Sequence, residues 1–199
     1  MKNPVRSATV AATLSVNTPP MPIYTRTGDD GTTALYGGTR VLKCEELVDV
    51  YGSIDELNSW VGLITGKLKI KRIKLFLTTI QSDLFTIGST LAGWKGNVIP
   101  LNGRIDEMEK HIDQMDKELL KRTNFILPGG SELAAQIHIA RSICRRVERQ
   151  TVSLSKKQPI GPVIIPYLNR LSDLLFTLAR FINKQGKIRE TVWSGIPRT

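Results

Sequence analysis

The sequence predicts an all-α domain: a five-helix bundle preceded by an ordered Gly/Thr-rich N-terminal loop. Three observations carry that expectation. Apolar residues recur at three- and four-residue steps through most of the chain after residue 46. The five periodic segments are separated by turn chemistry, "GWKGNVIPLNG" at 93–103, "PGGS" at 128–131 and "SKKQPIGP" at 155–162. No segment longer than a few residues alternates with period two, and no internal repeat is evident.

Residues 23–43, "IYTRTGDDGTTALYGGTRVLK", hold two dense turn signals, "TGDDG" and "GG", and read as an ordered loop with room for short extended pieces. The first helix covers 46–67, with Leu47, Val50, Tyr51, Ile54, Leu57 and Val61 on its apolar stripe; the capping-box spacing of Ser53 and Glu56 also allows regular helix to begin only there. The second covers 72–92 (Phe76, Ile80, Leu84, Ile87, Leu91) and the third 104–120 (Ile105, Met108, Ile112, Met115, Leu119). The fourth covers 131–154, with Ser131 as its cap. The fifth covers 162–184, with a seam of Leu168, Leu171, Leu175, Leu178 and Ile182. Five helices with short connections form a bundle most economically.

The 199 residues, 41% hydrophobic and 23% charged, suit one globular domain with a real core. The divisions expected are an extension over 1–21, the domain over 22–186 and a tail over 187–199. The extension, "MKNPVRSATVAATLSVNTPPM", is acid-free. It reads as a disordered tail, as an upstream start before Met21, or as an organelle transit peptide. Lys2 and Arg6 supply only two units of the net charge of +10, so the basic character belongs to the body and points to anionic partners. Cys44 and Cys144 form no CxxC pair, which fits a reducing cytoplasm, and His111 and His138 have no metal-ligand spacing. No apolar run approaches a membrane span.

"HIARSICRRVER" (138–149) is the most informative stretch. At about 100° per residue, Arg141, Arg145, Glu148 and Arg149 share one sector of a helix, while Ala140, Ile143, Cys144 and Val147 fall on the other side. That stripe is either a solvated face with intrahelical pairs or an anion site. The use of Arg, in a chain rich in Lys, favours planar recognition of phosphate or carboxylate. The lysine-rich run 67–74, "KLKIKRIK", lacks interleaved aromatics and reads as a solvated linker rather than a nucleic-acid patch. "TGDDGTT" could aim N–H groups and hydroxyls at phosphate, yet it is no P-loop and equally suits a structural turn. Asp55, Glu56 and Asn58 form an acidic patch or supply a partner for an arginine of a neighbouring helix or subunit. Arg170 and Asp173 make an ordinary i,i+3 pair, Asn169 is an amide beside a leucine seam, and Phe125 precedes a tight turn as a packing anchor would.

In order along the chain, "YTRTGDDGTT", "YGSIDELNSWVG", "FILPGGS", "HIARSICRRVER" and "YLNRLSDLLFTLAR" resemble the propanediol-utilisation type of ATP:cob(I)alamin adenosyltransferase over roughly residues 22–182. The resemblance implies homotrimers of five-helix bundles with active sites at subunit interfaces. It implies transfer of the 5′-deoxyadenosyl group of ATP to the cobalt of cob(I)alamin, with Mg2+ assisting and triphosphate leaving. Thr25, Arg26, Thr27, Gly28, Thr33, Ala34 and Lys43 would hold the nucleotide, joined by Arg145, Arg146, Val147, Glu148, Arg149 and Asn169. Arg145 would lie closest to the chemistry. Asp55 and Arg141 would pair across the interface, and Phe125 would pack under the corrin and displace the lower axial ligand. A cobalamin reductase and an adenosylcobalamin-dependent enzyme are the implied protein partners; nucleic acid and membrane are not. Asp30 departs from the family pattern, where Lys is common. Two other classes of function stay open on the residues alone: a non-catalytic binder of cobalamin or nucleotide, and a basic helical nucleic-acid-binding protein.

Overall fold

The structure, a computed structural model, describes residues 23–121 and 124–195. The expected extension over 1–21 and the last four residues of the tail lie outside the described residues. A two-stranded antiparallel ribbon, β1 (Thr32–Ala34) and β2 (Arg40–Leu42), pairs Thr33 with Val41. Five helices follow: α1 (Glu46–Lys67), α2 (Lys71–Leu91), α3 (Leu101–Asp116), α4 (Glu132–Ser155) and α5 (Ile164–Gln185). The all-α reading holds, and the ribbon supplies the short extended pieces in the loop.

α1 keeps its expected bounds, and α3 is the helix that shifts, starting at Leu101 rather than at 104. Regular helix starts at Glu46, not Ser53, and Ser53 is buried within α1. Its hydroxyl spacing to Glu56 is therefore incidental, because Val50 and Ile54 must both face the core. α3 ends at Asp116, and Glu118 and Leu119 continue as turns on the carbonyls of Met115 and Asp116. Ser131 caps α4 as expected, its Oγ accepting the N–H of Ala134 at 3.1 Å. Ser131→Ala should cost about 1 kcal/mol in chemical denaturation. Asn183 adds to this cap, its Oδ1 accepting the Ser131 N–H while its amide donates to the Gly129 carbonyl, both at 2.9 Å.

The helices neighbour one another in the order α2–α1–α4–α5–α3. Long side chains close the ring between α2 and α3: the Phe76 and His111 rings stack at 4.1 Å, and Arg104 Nε donates to Asp83 Oδ2 at 2.8 Å. The same carboxylate oxygen accepts the hydroxyl of Tyr167, a fully buried residue of α5, at 3.0 Å. One carboxylate thus ties three helices together, and its buried charge is matched by the guanidinium. The core is the expected set of stripes, with Leu57, Ile80, Met108, Val147 and Leu175 fully buried. Packing of α4 against α1 and α5 fixes which of its faces is left for other work.

Candidate active site

α4 presents its polar face because its opposite face is committed. Ala140, Cys144 and Val147 are fully buried, and the Cys144 thiol donates to the Leu168 carbonyl at 3.2 Å. Burial pushes that thiol's pKa up, so it is an inert core group. The Val147 side chain lies in the core, unlike the polar residues around it that were expected to contact the nucleotide.

The four arginines are not equivalent. Arg146 pairs with Glu56 of α1. Arg149 is exposed, and Glu148 accepts the amide of Asn169 from α5 at 2.9 Å. Arg141 is half-buried, with its guanidinium 5.9 Å from the Phe176 ring. Its buried Nε finds no acceptor, and burial with neighbouring Arg145 pulls its pKa down. Arg145 is exposed. Neither Arg141 nor Arg145 has an ion-pair partner among the described residues, and the same is true of Asp55 on α1. Two cations a turn apart, one with an orphaned donor, create an unmet demand for negative charge.

The N-terminal loop is organised around its own carbonyls. Lys43 Nζ donates to the Gly28 carbonyl at 2.7 Å, and Arg40 bonds the Thr27 carbonyl. A Cβ at position 28 would meet the Thr32 carbonyl oxygen at 3.1 Å and Lys43 Nζ at 3.2 Å, so glycine leaves room for Lys43 to fold in this closely. Arg26 adopts φ 59°, and the Thr25 and Thr27 hydroxyls lie 2.8 Å apart. Asp30 accepts the Thr32 N–H at 2.9 Å and its hydroxyl at 2.7 Å, bonds that hold its carboxyl below the usual range. This aspartate organises the turn. Lys43 also lines a cavity of about 650 Å³ along α1, which extends to Ser53 and Glu56. Among the described residues the α1 wall of this cavity is joined to α4 by Glu56 with Arg146, Asp49 with Gln150, and Glu46 with Lys157; no hydrogen bond or ion pair joins Thr25–Ala34 to Arg141, Arg145 or Arg149.

Phe125 stands 72% exposed at the other end of α4. Its carbonyl accepts the Trp193 N–H at 2.8 Å, Leu127 N–H donates to the Thr191 carbonyl at 2.8 Å, and Ile126 pairs with Val192. The Trp193 ring, itself 55% exposed, stands edge-on to Phe125 at 6.4 Å. Arg180 fastens the same segment through Glu190 at 3.0 Å. No motif announced this anchoring; the one sequence signal was a second large aromatic, Trp193, in a polar tail. His138 completes this end of the site: it is 3% exposed, tilted 6.1 Å from Phe176, and neither ring nitrogen has a partner. Burial first, then Arg141, lowers its pKa, so it is neutral when folded. The unfolded chain therefore binds the extra proton below about pH 6.5. Stability should fall as the pH drops through that value, and His138→Phe should flatten the slope in urea titrations at pH 5 and 7.

Together these features define a class: an all-α bundle with a cationic helix face, a Thr/Gly anion loop and an exposed aromatic platform, a binder of a polyanion and a flat apolar body. Residues 23–182 match the family model for cobalamin adenosyltransferase. The chain is 41% identical over 172 residues to a cobalamin adenosyltransferase of Cupriavidus metallidurans, covering 86% of this chain and 93% of that one. It is also 41% identical over 174 residues to a corrinoid adenosyltransferase of Bacillus subtilis, covering 84% and 90%. In structure it is similar to a variant of a PduO-type ATP:corrinoid adenosyltransferase from Lactobacillus reuteri complexed with cobalamin and ATP. That match has a TM-score of 0.82 and 32% identity, and covers 87% of this chain and 100% of that one. The chain belongs to the cobalamin adenosyltransferase family.

Proposed function

We propose that the chain transfers the 5′-deoxyadenosyl group of ATP to the cobalt of cob(I)alamin, and that its subunits form a trimer that completes the site. The observation that carries this reading is the pair Arg141 and Arg145, which have no ion-pair partner among the described residues and stand on a helix whose other face is sealed. The cobalt(I) electron pair attacks the ribose 5′ carbon. The cobalt–carbon bond forms as the carbon–oxygen bond breaks, and triphosphate leaves with that bond's electron pair. Because the corrinoid is itself the nucleophile, the protein's task is to receive the charge developing on triphosphate.

Arg145 is assigned to that charge, with Arg146, Arg149 and Lys43 around it. Lys43 has two donors to spare beyond its bond to Gly28. Thr25, Arg26, Thr27, Gly28, Thr33 and Ala34 line the nucleotide from the loop, and Glu148 with Asn169 borders it from α4 and α5. Asp55 and Arg141 are the two ends of a salt bridge between neighbouring subunits, which accounts for each lacking an ion-pair partner among the described residues. Phe125 lies under the corrin, with Trp193 widening the platform. Magnesium fits as a companion of the phosphate oxygens, where it would neutralise charge: no group of three His, Cys, Asp or Glu able to hold a metal ion occurs among the described residues. Among the described residues no helix is long and apolar enough to cross a membrane. A reducing cytoplasm suits the free cysteines.

The test is turnover. Purified protein, ATP, magnesium and chemically reduced cob(I)alamin under anaerobic conditions should give adenosylcobalamin and triphosphate in equal amounts. Tight corrinoid binding with no triphosphate would instead support a non-catalytic binder.

A further inference from the structure

The N-terminal loop holds a charge pair that the assigned transfer chemistry leaves without a role. Arg40, the first residue of β2, reaches back to residues 27–32. It bonds the Thr27 carbonyl, its Nε donates to Thr32 Oγ1 at 2.9 Å, and it pairs with Asp30 at 3.5 Å. The Thr32 hydroxyl passes the contact on, donating to Asp30 Oδ1 at 2.7 Å, and the same oxygen accepts the Thr32 N–H at 2.9 Å. Asp30 therefore holds the Arg40 guanidinium both directly and through Thr32, and Arg40 in turn holds the Thr27 carbonyl. Lys43 does the same for the next carbonyl along, that of Gly28. These contacts decide where the backbone donors point. The peptide between Thr27 and Gly28 is trans, so the Gly28 N–H faces away from the Thr27 carbonyl. Neither it nor the Thr27 N–H has an acceptor among the described residues.

On charge alone, a carboxylate is out of place in a loop that receives triphosphate, because like charges repel. The pairing removes the conflict. Asp30 and Arg40 together carry no net charge, so what they supply is direction. Carbonyls drawn to cationic side chains leave N–H groups for an anion, the arrangement by which a backbone concavity binds phosphate. Resting on the adenosyl-transfer reading, we infer that Asp30 and Arg40 are positioning residues for ATP, holding the Thr27 and Gly28 N–H groups toward its phosphates. Arg40 acts through the Thr27 carbonyl, and Asp30 acts through Arg40 and Thr32. The sign of the Asp30 effect separates this role from plain electrostatics. Removing the carboxylate strengthens anion binding if its charge acts through space, and weakens it if the carboxylate holds the donors in place.

The experiment titrates the full chain with inorganic triphosphate by calorimetry, first with a chelator and then with magnesium. It also measures KM and kcat for ATP with cob(I)alamin. The variants are Asp30→Ala, Arg40→Ala and Arg40→Lys. Asp30→Ala and Arg40→Ala should each weaken triphosphate binding roughly tenfold, with or without magnesium, the scale set by losing hydrogen bonds to charged groups. Arg40→Lys keeps the charge but cannot span Thr27 and Thr32 with a planar fork, and should recover only part of that loss. KM for ATP should rise by a similar factor while kcat stays within about twofold, since the loop holds the phosphates alike in ground and transition states. Affinity for cob(II)alamin and the thermal midpoint should hold, because both side chains are exposed. Tighter triphosphate binding by Asp30→Ala would overturn the inference, as would full recovery by Arg40→Lys. A loss seen only with magnesium would make Asp30 a metal contact instead, and parallel loss of cob(II)alamin affinity would reduce the pair to general support of the fold. A parent chain that binds neither triphosphate nor ATP would sink the adenosyl-transfer reading itself, and the role of this pair with it.

Discussion

Arg145→Ala should lower kcat about 10²- to 10³-fold while leaving the unfolding free energy within about 0.5 kcal/mol of the parent. Both halves follow from where the side chain stands. Arg145 is exposed and without an ion-pair partner among the described residues, so its loss breaks no internal bond and opens no cavity. Its assigned work appears only as the carbon–oxygen bond lengthens and charge collects on the leaving triphosphate. An interaction stronger in the transition state than in the ground state is lost from kcat and kcat/KM together, with little change in KM for ATP. Arg145→Lys keeps the charge but loses the planar fork, and should fall between the two. A loss of ATP affinity equal to the loss of rate would make Arg145 a ground-state anchor. Near-normal turnover in Arg145→Ala would remove it from the reaction. Arg146 makes a useful contrast, because its ion pair with Glu56 bridges α4 to α1 and its removal touches packing as well.

The helices were legible because each needs one apolar stripe, and a period near 3.6 has no competing explanation over twenty residues. α1, α2, α4 and α5 begin and end within two residues of where periodicity and turn chemistry put them. The start of α1 shows the limit: Ser53 and Glu56 have cap spacing, but burial of Val50 and Ile54 decides the helix. The Arg stripe was legible as an amphipathic face, yet periodicity does not say which arginine a neighbour will neutralise. Glu56 lies ninety residues from Arg146 and takes it, leaving Arg141 and Arg145 open. The turn-organising role of Asp30 was not legible, because its partner, Thr32, matters only once the loop has turned. The anchoring of 188–193 was invisible for a related reason. A three-residue pairing with 125–127 has no period, and Arg180, the residue that fastens it, sits in a helical pattern as though it were an ordinary surface charge.

That anchoring sharpens what Phe125→Ala should do. A phenylalanine 72% exposed at the tip of a strapped turn contributes little to the free fold, so stability should hold. What the turn gains is orientation: the backbone bonds of Leu127 and of Trp193 fix the turn, and the Trp193 edge steadies the ring. Burying a phenylalanine face against a corrin is worth about 1.5–3 kcal/mol. If that energy is used to hold cobalt free of its lower ligand, Phe125→Ala should slow product formation from cob(II)alamin roughly 10- to 100-fold. With cob(I)alamin supplied, already without that ligand, the same variant should lose far less, and ATP binding should be unchanged. The visible spectrum of bound cob(II)alamin reads the cause directly, since the parent should shift it toward the four-coordinate form and the variant should not. Trp193→Ala should give the same signature at smaller amplitude, because it supports the ring from its edge. Equal losses with cob(II)alamin and cob(I)alamin would assign Phe125 to holding the corrin in place rather than to choosing its coordination. In that case the tail that braces it would serve affinity alone.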